Sequence, residues 1–347
     1  MLLPLTDRRV LLTGAGGSIG SALAREILTQ KPEALFLLDH SEGKLHQLNF
    51  ELSHASVPGA CVPILGDVTD GVHLAEIFDE KQPDFVLHAA AFKHVPLMET
   101  NVIAAVRNNA LATNELARLA VTYEVQSLVM VSTDKAVQPH SVMGVTKRVA
   151  ELALLRWCSA KSSMRAVRLG NVLGSQGSVV PTFLQQIAAG GPVTVTHPEA
   201  TRYFFSMPET IELIVLAASL AGQSGIFIPQ PREAIGILNL ARQLIGEAGG
   251  GREIPVVMTG LRPGDKLSEQ FASCQESVIN GTNGALRRVA TPELSQAEFD
   301  SAMTALQNTV QQRDVAGALE CLCRLVPDYR PSETALESRK EQESRSR

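Results

Sequence analysis

A chain of 347 residues is long enough for two structural units, or for one large α/β unit with an added lobe, and 45% hydrophobic against 19% charged residues excludes a disordered scaffold, a collagen-like rod and a coiled coil. With 31 Lys and Arg against 36 Asp and Glu, the formal charge of -5 leaves no basic surplus for holding a nucleic acid by phosphate neutralisation. The five cysteines, Cys61, Cys158, Cys274, Cys321 and Cys323, are odd in number and lack CxxC spacing, which excludes a disulfide framework and points to a reducing, cytoplasmic setting.

The apolar start Met1 to Leu5 runs straight into Arg9 to Gly14, a strand and turn, so no signal peptide is expected. Strand-like apolar runs follow at Val10 to Thr13, Ala34 to Asp39, Cys61 to Leu65, Asp84 to Ala89, Ser127 to Ser132 and Arg165 to Leu169. Helix-period segments, such as Ile19 to Thr29 and Asn101 to Tyr123, separate them. Strands that are apolar throughout are those covered on both faces, so the expected fold is α/β, a doubly wound parallel sheet of the Rossmann type. Beyond Gly170 the pattern loosens into segments punctuated by Gly and Pro, which predicts a smaller C-terminal substrate-binding lobe. The expected division is 1–170 for the dinucleotide-binding domain, with parts of 205–230 returning to it, and 171–330 mainly for the lobe. The longest apolar run, Ile211 to Ala221, is shorter than the ~20 residues of a membrane helix and reads as a buried helix. The polar end, 331–347, reads as a disordered tail.

Directly after the first strand stands Thr13-Gly14-Ala15-Gly16-Gly17-Ser18-Ile19-Gly20, with a helical pattern beginning at once. Glycine there permits a tight turn and close approach of backbone to a pyrophosphate, while the helix N-terminus offers unpaired N–H groups and a positive dipole end. The second strand ends in Asp39, where a carboxylate can accept hydrogen bonds from an adenosine ribose and repel a 2'-phosphate. No Arg or Lys immediately follows it, so NAD is expected rather than NADP. The plainer alternative is an ordinary turn in which Asp39 caps the helix at Ser41. Asp67 is placed to reach an adenine amino group, although such an Asp is more often a cap.

The fifth strand leads into Thr133-Asp134-Lys135, and Met143 and Lys147 lie on one face of the following helix. Ligands of open α/β sheets bind beyond the carboxyl ends of strands, which is where these side chains fall.

Several ordered blocks resemble the extended short-chain dehydrogenase/reductase superfamily, and within it the nucleotide-sugar 4,6-dehydratases of the bacterial polysaccharide-biosynthesis type. They are Thr13 to Gly20, Leu87 to Glu99, Ser132 to Val137, Arg168 to Gly174, Gly177 to Pro181, Gly191 to Pro198 and Gly260 to Leu267. The resemblance implies conversion of UDP-N-acetylglucosamine to a UDP-4-keto-6-deoxy-hexosamine with NAD as a recycled cofactor. It implies Asp134 as acid, Lys135 as base, Thr133 on the 4-oxygen and Lys147 on the nicotinamide ribose. Free Asp and Lys titrate near ~3.9 and ~10.4, the wrong forms for those roles; burial is expected to push both toward neutral and their mutual attraction as ions to oppose that shift, giving a shared-proton network, with Lys147 lowering Lys135 further.

Met143 departs from the superfamily, which usually has a proton-abstracting tyrosine there; one branch of the polysaccharide-type dehydratases shares the methionine. Asp265, Ser268 and Gln270 are smaller departures. The expected cofactor contacts are Gly14, Gly17, Ser18, Ile19 and Gly20, then Asp39, Asp67 and Val68, then Ala89, Ala90, Lys93 and Lys147. The expected substrate contacts are Asn171, Val180, Arg202 and Arg262, the arginines as partners of a pyrophosphate. His94 is expected to be structural, and no histidine spacing suggests a metal. A homo-oligomer is expected, through the helices at Asn101 to Tyr123 and Val142 to Ala160. Two alternatives stand beside the dehydratase: a C4 or C5 epimerase on the same scaffold, and a non-catalytic NAD-sensing protein.

Overall fold

The computed structural model describes residues 5–53, 60–220, 222–279, 284–291 and 295–338. Strands β1 (Arg9–Thr13), β2 (Ala34–Asp39), β3 (Cys61–Leu65), β4 (Phe85–His88), β5 (Ser127–Thr133) and β6 (Ser163–Leu169) alternate with helices α1 (Ser18–Thr29), α2 (Glu42–Ser53) and α3 (Gly71–Lys81). After β4 come α4 (Val95–Glu99), α5 (Val102–Ala105), a π-helical turn (Val106–Leu111) and α6 (Ala112–Thr122). Between β5 and β6 lie a 3₁₀ turn (Asp134–Ala136) and α7 (Val142–Arg156).

The second half holds β7 (Asn171–Val172), α8 (Val179–Ala188), β8 (Val193–Val195), β9 (Thr201–Arg202), β10 (Phe204–Phe205) and α9 (Met207–Ala218). It continues with β11 (Gly225–Pro229), β12 (Ile235–Gly236), α10 (Ile237–Ala248), β13 (Val256–Met258), β14 (Ser277–Ile279) and β15 (Leu286–Ala290). Helices α11 (Gln296–Gln312) and α12 (Val315–Leu325) complete the numbered elements.

Among the described residues nine strands form the main sheet, in the order β14-β15-β11-β6-β5-β4-β1-β2-β3. Every pair from β3 to β11 is parallel, and β15 and β14 add an antiparallel edge. Strand residues alternate between two cores. Val10, Leu12, Leu35 and Leu37 pack on one face with α1, α2 and α9, while Leu11, Phe36 and Leu38 pack on the other with α3, α6 and α7. Leu11 and Leu12 are both fully buried, and each such side chain contributes about 1.5–3 kcal/mol of hydrophobic stabilisation. This two-sided burial is why the strands read as unbroken apolar runs.

The span 171–330 does not form one lobe. α9 and β11, inside the 205–230 span expected to return, lie on the main sheet, but β14 and β15 join it too, and α11 and α12 pack on the π-helical turn, α5 and α7. The smaller lobe is left with α8, α10, β8 and β13, around Phe183, Ile187, Val193 and Ala241. Strands need only be apolar and of the right length to join a sheet, so Gly- and Pro-rich connections gave no sign of which layer they served.

The expected disorder from residue 331 is also corrected. Residues 333–338 are helical, Ala335 is buried and the Ser332 hydroxyl donates to Glu99. One small apolar residue and one buried carboxylate are enough to dock the segment; residues 339–347 lie outside those described. The proposed oligomer face is altered as well. Helix α7 is buried from Val142 through much of its length, and this chain's own α12 lies against it and against α5. Among the described residues no helix is long and apolar enough to cross a membrane.

Candidate active site

The glycine loop joins β1 to α1 at the carboxyl edge of the sheet. Gly14 has φ +68°, and a Cβ there would lie 2.5 Å from the Ala90 nitrogen, so the turn must be glycine for both reasons. Gly17 and Ser18 begin α1 without any side-chain cap, which leaves first-turn N–H groups facing outward with the dipole's positive end. Ile19 is half-buried and Gly20 buried in the same turn. Asp39 accepts from the Gly16 N–H at 2.8 Å and the Ser41 N–H at 2.8 Å. It therefore braces the loop and closes a turn onto Ser41 just before α2, while its oxygens keep further lone pairs. Asp67 accepts from the Thr69 N–H at 2.8 Å, a turn bond, and Val68 is buried in the sheet's second core.

Ala89 and Ala90 follow β4 beside this loop. Their segment is pinned by Asn109, whose Oδ1 accepts from the Phe92 N–H at 2.8 Å and whose Nδ2 donates to the Phe92 carbonyl at 3.0 Å. Asn109 sits in the π-helical turn, a local widening of the helix frequent at functional sites. Beneath it His88 is fully enclosed between Thr13 Oγ1 at 2.7 Å and Thr113 Oγ1 at 3.0 Å, and burial holds its pKa down at about 3. Lys93 donates to the Gln176 carbonyl at 2.8 Å, and the Gln176 N–H donates to Ser18 Oγ at 3.2 Å, so the 173–178 segment spans from one loop to the other. His94 is exposed, with its ring over Gly177.

Thr133 ends β5, and the 3₁₀ turn that follows carries Asp134 and Lys135. Helix α7 starts so close to this turn that a Cβ on Gly144 would lie 2.4 Å from the Lys135 carbonyl oxygen. Asp134 is fully buried. Its Oδ1 accepts from Thr133 Oγ1 at 3.0 Å and from Lys135 Nζ at 3.0 Å, while Oδ2 is buried without a partner among the described residues. Lys135 also reaches Asn171 Oδ1 at 3.4 Å and Glu269 Oε1 at 3.5 Å. Glu269 in turn pairs with Lys266 at 2.7 Å, and Lys266 donates to the Val137 carbonyl at 2.9 Å.

Burial raises the Asp134 pKa, and the nearby Glu269 charge adds to this against the pull of Lys135. For Lys135 the ion-pair attraction expected to oppose burial prevails, and the expected lowering by Lys147 does not appear. Burial does pull it down, but the Asp134 and Glu269 carboxylates together carry it above the ordinary lysine value; the opposing cation is Arg202, not Lys147. Burial would raise Glu269, yet Lys135, Lys266 and Arg202 hold it below the usual carboxylate range. Lys147 is buried with no ion pair or hydrogen bond among the described residues, and desolvation, only partly opposed by Glu151, brings it down to about 8. Met143, one turn before it, packs with Val95 and Met98 in the core beneath α4.

Of the substrate candidates, Asn171 touches Lys135, and Val180 is half-buried in the first turn of α8. Arg202 is neither exposed nor in a surface ion pair. It donates to the carbonyls of Thr201, Leu267 and Lys266, so it ties the 266–267 backbone to β9. Arg262 is exposed and pairs with Asp265 at 2.8 Å. Sequence reasoning missed Glu269 and Asn109. The Lys266 to Glu269 spacing, immediately beyond the Gly260 to Leu267 block, was the available signal for Glu269; Asn109 lay in a helix with nothing to mark it.

The polysaccharide biosynthesis protein family matches residues 10–290. A capsular polysaccharide biosynthesis protein, CapD of Staphylococcus aureus, is 45% identical over 276 residues, which is 78% of this chain and 46% of that protein. The chain spans about half the length of the first curated relatives it matches. The solved structure of Pen from Bacillus thuringiensis superposes with a TM-score of 0.77 at 27% identity, covering 83% of this chain and 89% of that one. MoeE5, solved in complex with UDP-glucose and NAD, gives a TM-score of 0.62 at 26% identity over 75% of this chain and 87% of its own. The glycine loop, the 3₁₀ turn with Asp134 and Lys135, and the α7 lysine all fall within the matched span, and the chain belongs to the polysaccharide biosynthesis protein family of the extended short-chain dehydrogenase/reductase superfamily.

Proposed function

We propose that the protein binds NAD and dehydrates UDP-N-acetylglucosamine to a UDP-4-keto-6-deoxy-N-acetylhexosamine. The observation that carries this reading is the pair at the end of β5, Asp134 and Lys135 at 3.0 Å, with Asp134 Oδ2 buried and unpartnered. Elimination of water across C5 and C6 needs one group to take a proton and another to give one, and an isolated dehydrogenation needs no such pair.

The residues fit NAD. The positive-φ Gly14, the uncapped first turn of α1 and the Asp39 carboxylate suit a pyrophosphate and a ribose, and buried Lys147 lacks a partner that ribose hydroxyls would supply. When bound, NAD supplies the redox chemistry at C4 that acidifies the C5 proton. Thr133 hydrogen-bonds the 4-oxygen and passes its proton to Asp134 Oδ1, the bond already present at 3.0 Å. Asp134 then protonates the C6 hydroxyl as it leaves as water. Lys135 removes the C5 proton and later returns a proton to C5. Met143 takes no part in proton transfer, and the 4-hydroxyl proton taken by Asp134 replaces the one that leaves with water. Arg262, exposed beside Asp265, is the proposed partner of the diphosphate.

The test is incubation with UDP-N-acetylglucosamine and catalytic NAD in deuterated water, followed by mass spectrometry and proton NMR. Loss of water with deuterium at C5 is the expected result. A sugar changed only in its C4 configuration would replace the reading with epimerisation, and bound NAD with an intact sugar would replace it with sensing.

A further inference from the structure

Two carboxylates flank Lys135, and only one of them has a task in the proposed dehydration. Asp134 must be able to receive the 4-hydroxyl proton and hand it to the leaving hydroxyl, so it cannot also hold the proton that Lys135 must shed before acting as a base. Glu269 is the remaining acceptor. It is 4% exposed, its Oε1 lies 3.5 Å from Lys135 Nζ, and its other oxygen is anchored by Lys266 at 2.7 Å. Lys266 is itself fixed to the Val137 carbonyl on the chain leaving the 3₁₀ turn, and Arg202 holds the Lys266 and Leu267 carbonyls. A carboxylate buried this deeply and ion-paired with a Lys266 that is itself tied to the turn backbone is held beside the Lys135 ammonium, as a proton partner needs to be rather than as a solvated ion pair.

We infer that Glu269 is a positioning residue of the site, accepting the Lys135 proton before the C5 step and returning it afterwards. This rests on the proposed dehydration. In the forward step one Nζ–H bond of Lys135 breaks and one O–H bond of Glu269 forms, leaving a neutral amine beside a neutral carboxylic acid. The amine then takes the C5 proton. When Lys135 delivers a proton to C5 it becomes neutral again, and Glu269 hands its proton back; nothing is oxidised or reduced. The groups whose charges act on this exchange are Asp134, Lys266, Arg202 and, on the loop before α7, His140. Against the pull of burial, Lys135, Lys266 and Arg202 keep Glu269 ionised in the resting site, ready to accept.

The experiment titrates the Lys135 ammonium by heteronuclear NMR of labelled lysine side chains in wild type, Glu269→Gln and Glu269→Asp, and measures turnover of UDP-N-acetylglucosamine with NAD in the same preparations. Glu269→Gln is expected to lower the Lys135 titration by about one unit and kcat by about 100-fold, with KM within about threefold. Glu269→Asp, which keeps the charge on a shorter arm, is expected about tenfold below wild type, so the inference stays testable where the Gln variant fails to fold. A Lys135 titration unmoved in both variants, or a wild-type kcat and pH profile in either, overturns it. Wild-type protein that leaves the sugar nucleotide intact sinks the dehydratase reading instead; the Lys135 titration distinguishes that failure, because it is read without substrate.

Discussion

Two clusters of buried charge meet at consecutive residues of β5. Ser132 belongs to the first, where Glu151 accepts from Ser132 Oγ at 2.6 Å and from Arg168 through both oxygens at 2.9 Å, and Arg168 forks onto Glu276 at 2.8 Å twice. Thr133 belongs to the second, with Asp134, Lys135 and Glu269. Glu151 and Arg168 are as buried as Asp134, yet the outcomes are opposite. In the first cluster every carboxylate oxygen meets a donor, and Glu151 is held down at about 2 because its paired arginines outweigh desolvation. In the second, Asp134 Oδ2 has no partner among the described residues and its pKa is raised. Satisfied charge ties β5, β6 and α7 together; frustrated charge next to it is left able to exchange protons.

The largest break in that comparison comes from Lys135→Met. Turnover of UDP-N-acetylglucosamine is expected to fall about 1000-fold while the thermal midpoint stays close to wild type, measured by product NMR and calorimetry. In the first cluster the pattern should reverse: Glu151→Ala leaves Arg168 buried and half-paired, costing about 3–5 kcal/mol in denaturant unfolding. The acid limb of wild-type unfolding sharpens the same point. Glu151 has a depressed folded pKa, so its stabilising contribution is complete above the ordinary carboxylate pKa and is lost as pH falls toward about 2, a loss Glu151→Gln should not show.

Lys147 gives a smaller effect of the same linkage. Its folded value of about 8 lies below the ordinary 10.5, so the folded state sheds the proton first and stability rises with pH across that interval. Lys147→Met should abolish that rise in pH-dependent unfolding, and its stability below pH ~8 should exceed wild type. The smallest change belongs to the surface pair: Arg262→Ala is expected to raise KM for the sugar nucleotide about tenfold and to shift unfolding by less than about 1 kcal/mol, since Arg262 is 57% exposed.

Much of the fold was legible in the chain. The first six strands lie within about two residues of their expected bounds. Continuous apolar runs and a glycine loop between strand and helix are local signals that survive folding unchanged. The roles assigned to single charged residues fared differently. Arg202, expected on a phosphate or at the surface, is buried against three backbone carbonyls, and Lys135 is raised where burial alone would lower it. The helices expected to meet a partner subunit are partly covered by α11 and α12 of the same chain.

By itself the sequence determined the doubly wound sheet, the nucleotide loop and the adjacency of Thr133, Asp134 and Lys135, because those depend on periodicity and on neighbours along the chain. Only the tertiary structure decided that Glu269 faces Lys135, that Asn109 clamps Phe92, and that β15 and β14 complete the sheet. Those features join residues far apart in the chain, and their energies depend on how completely water is excluded between them, which no local pattern encodes.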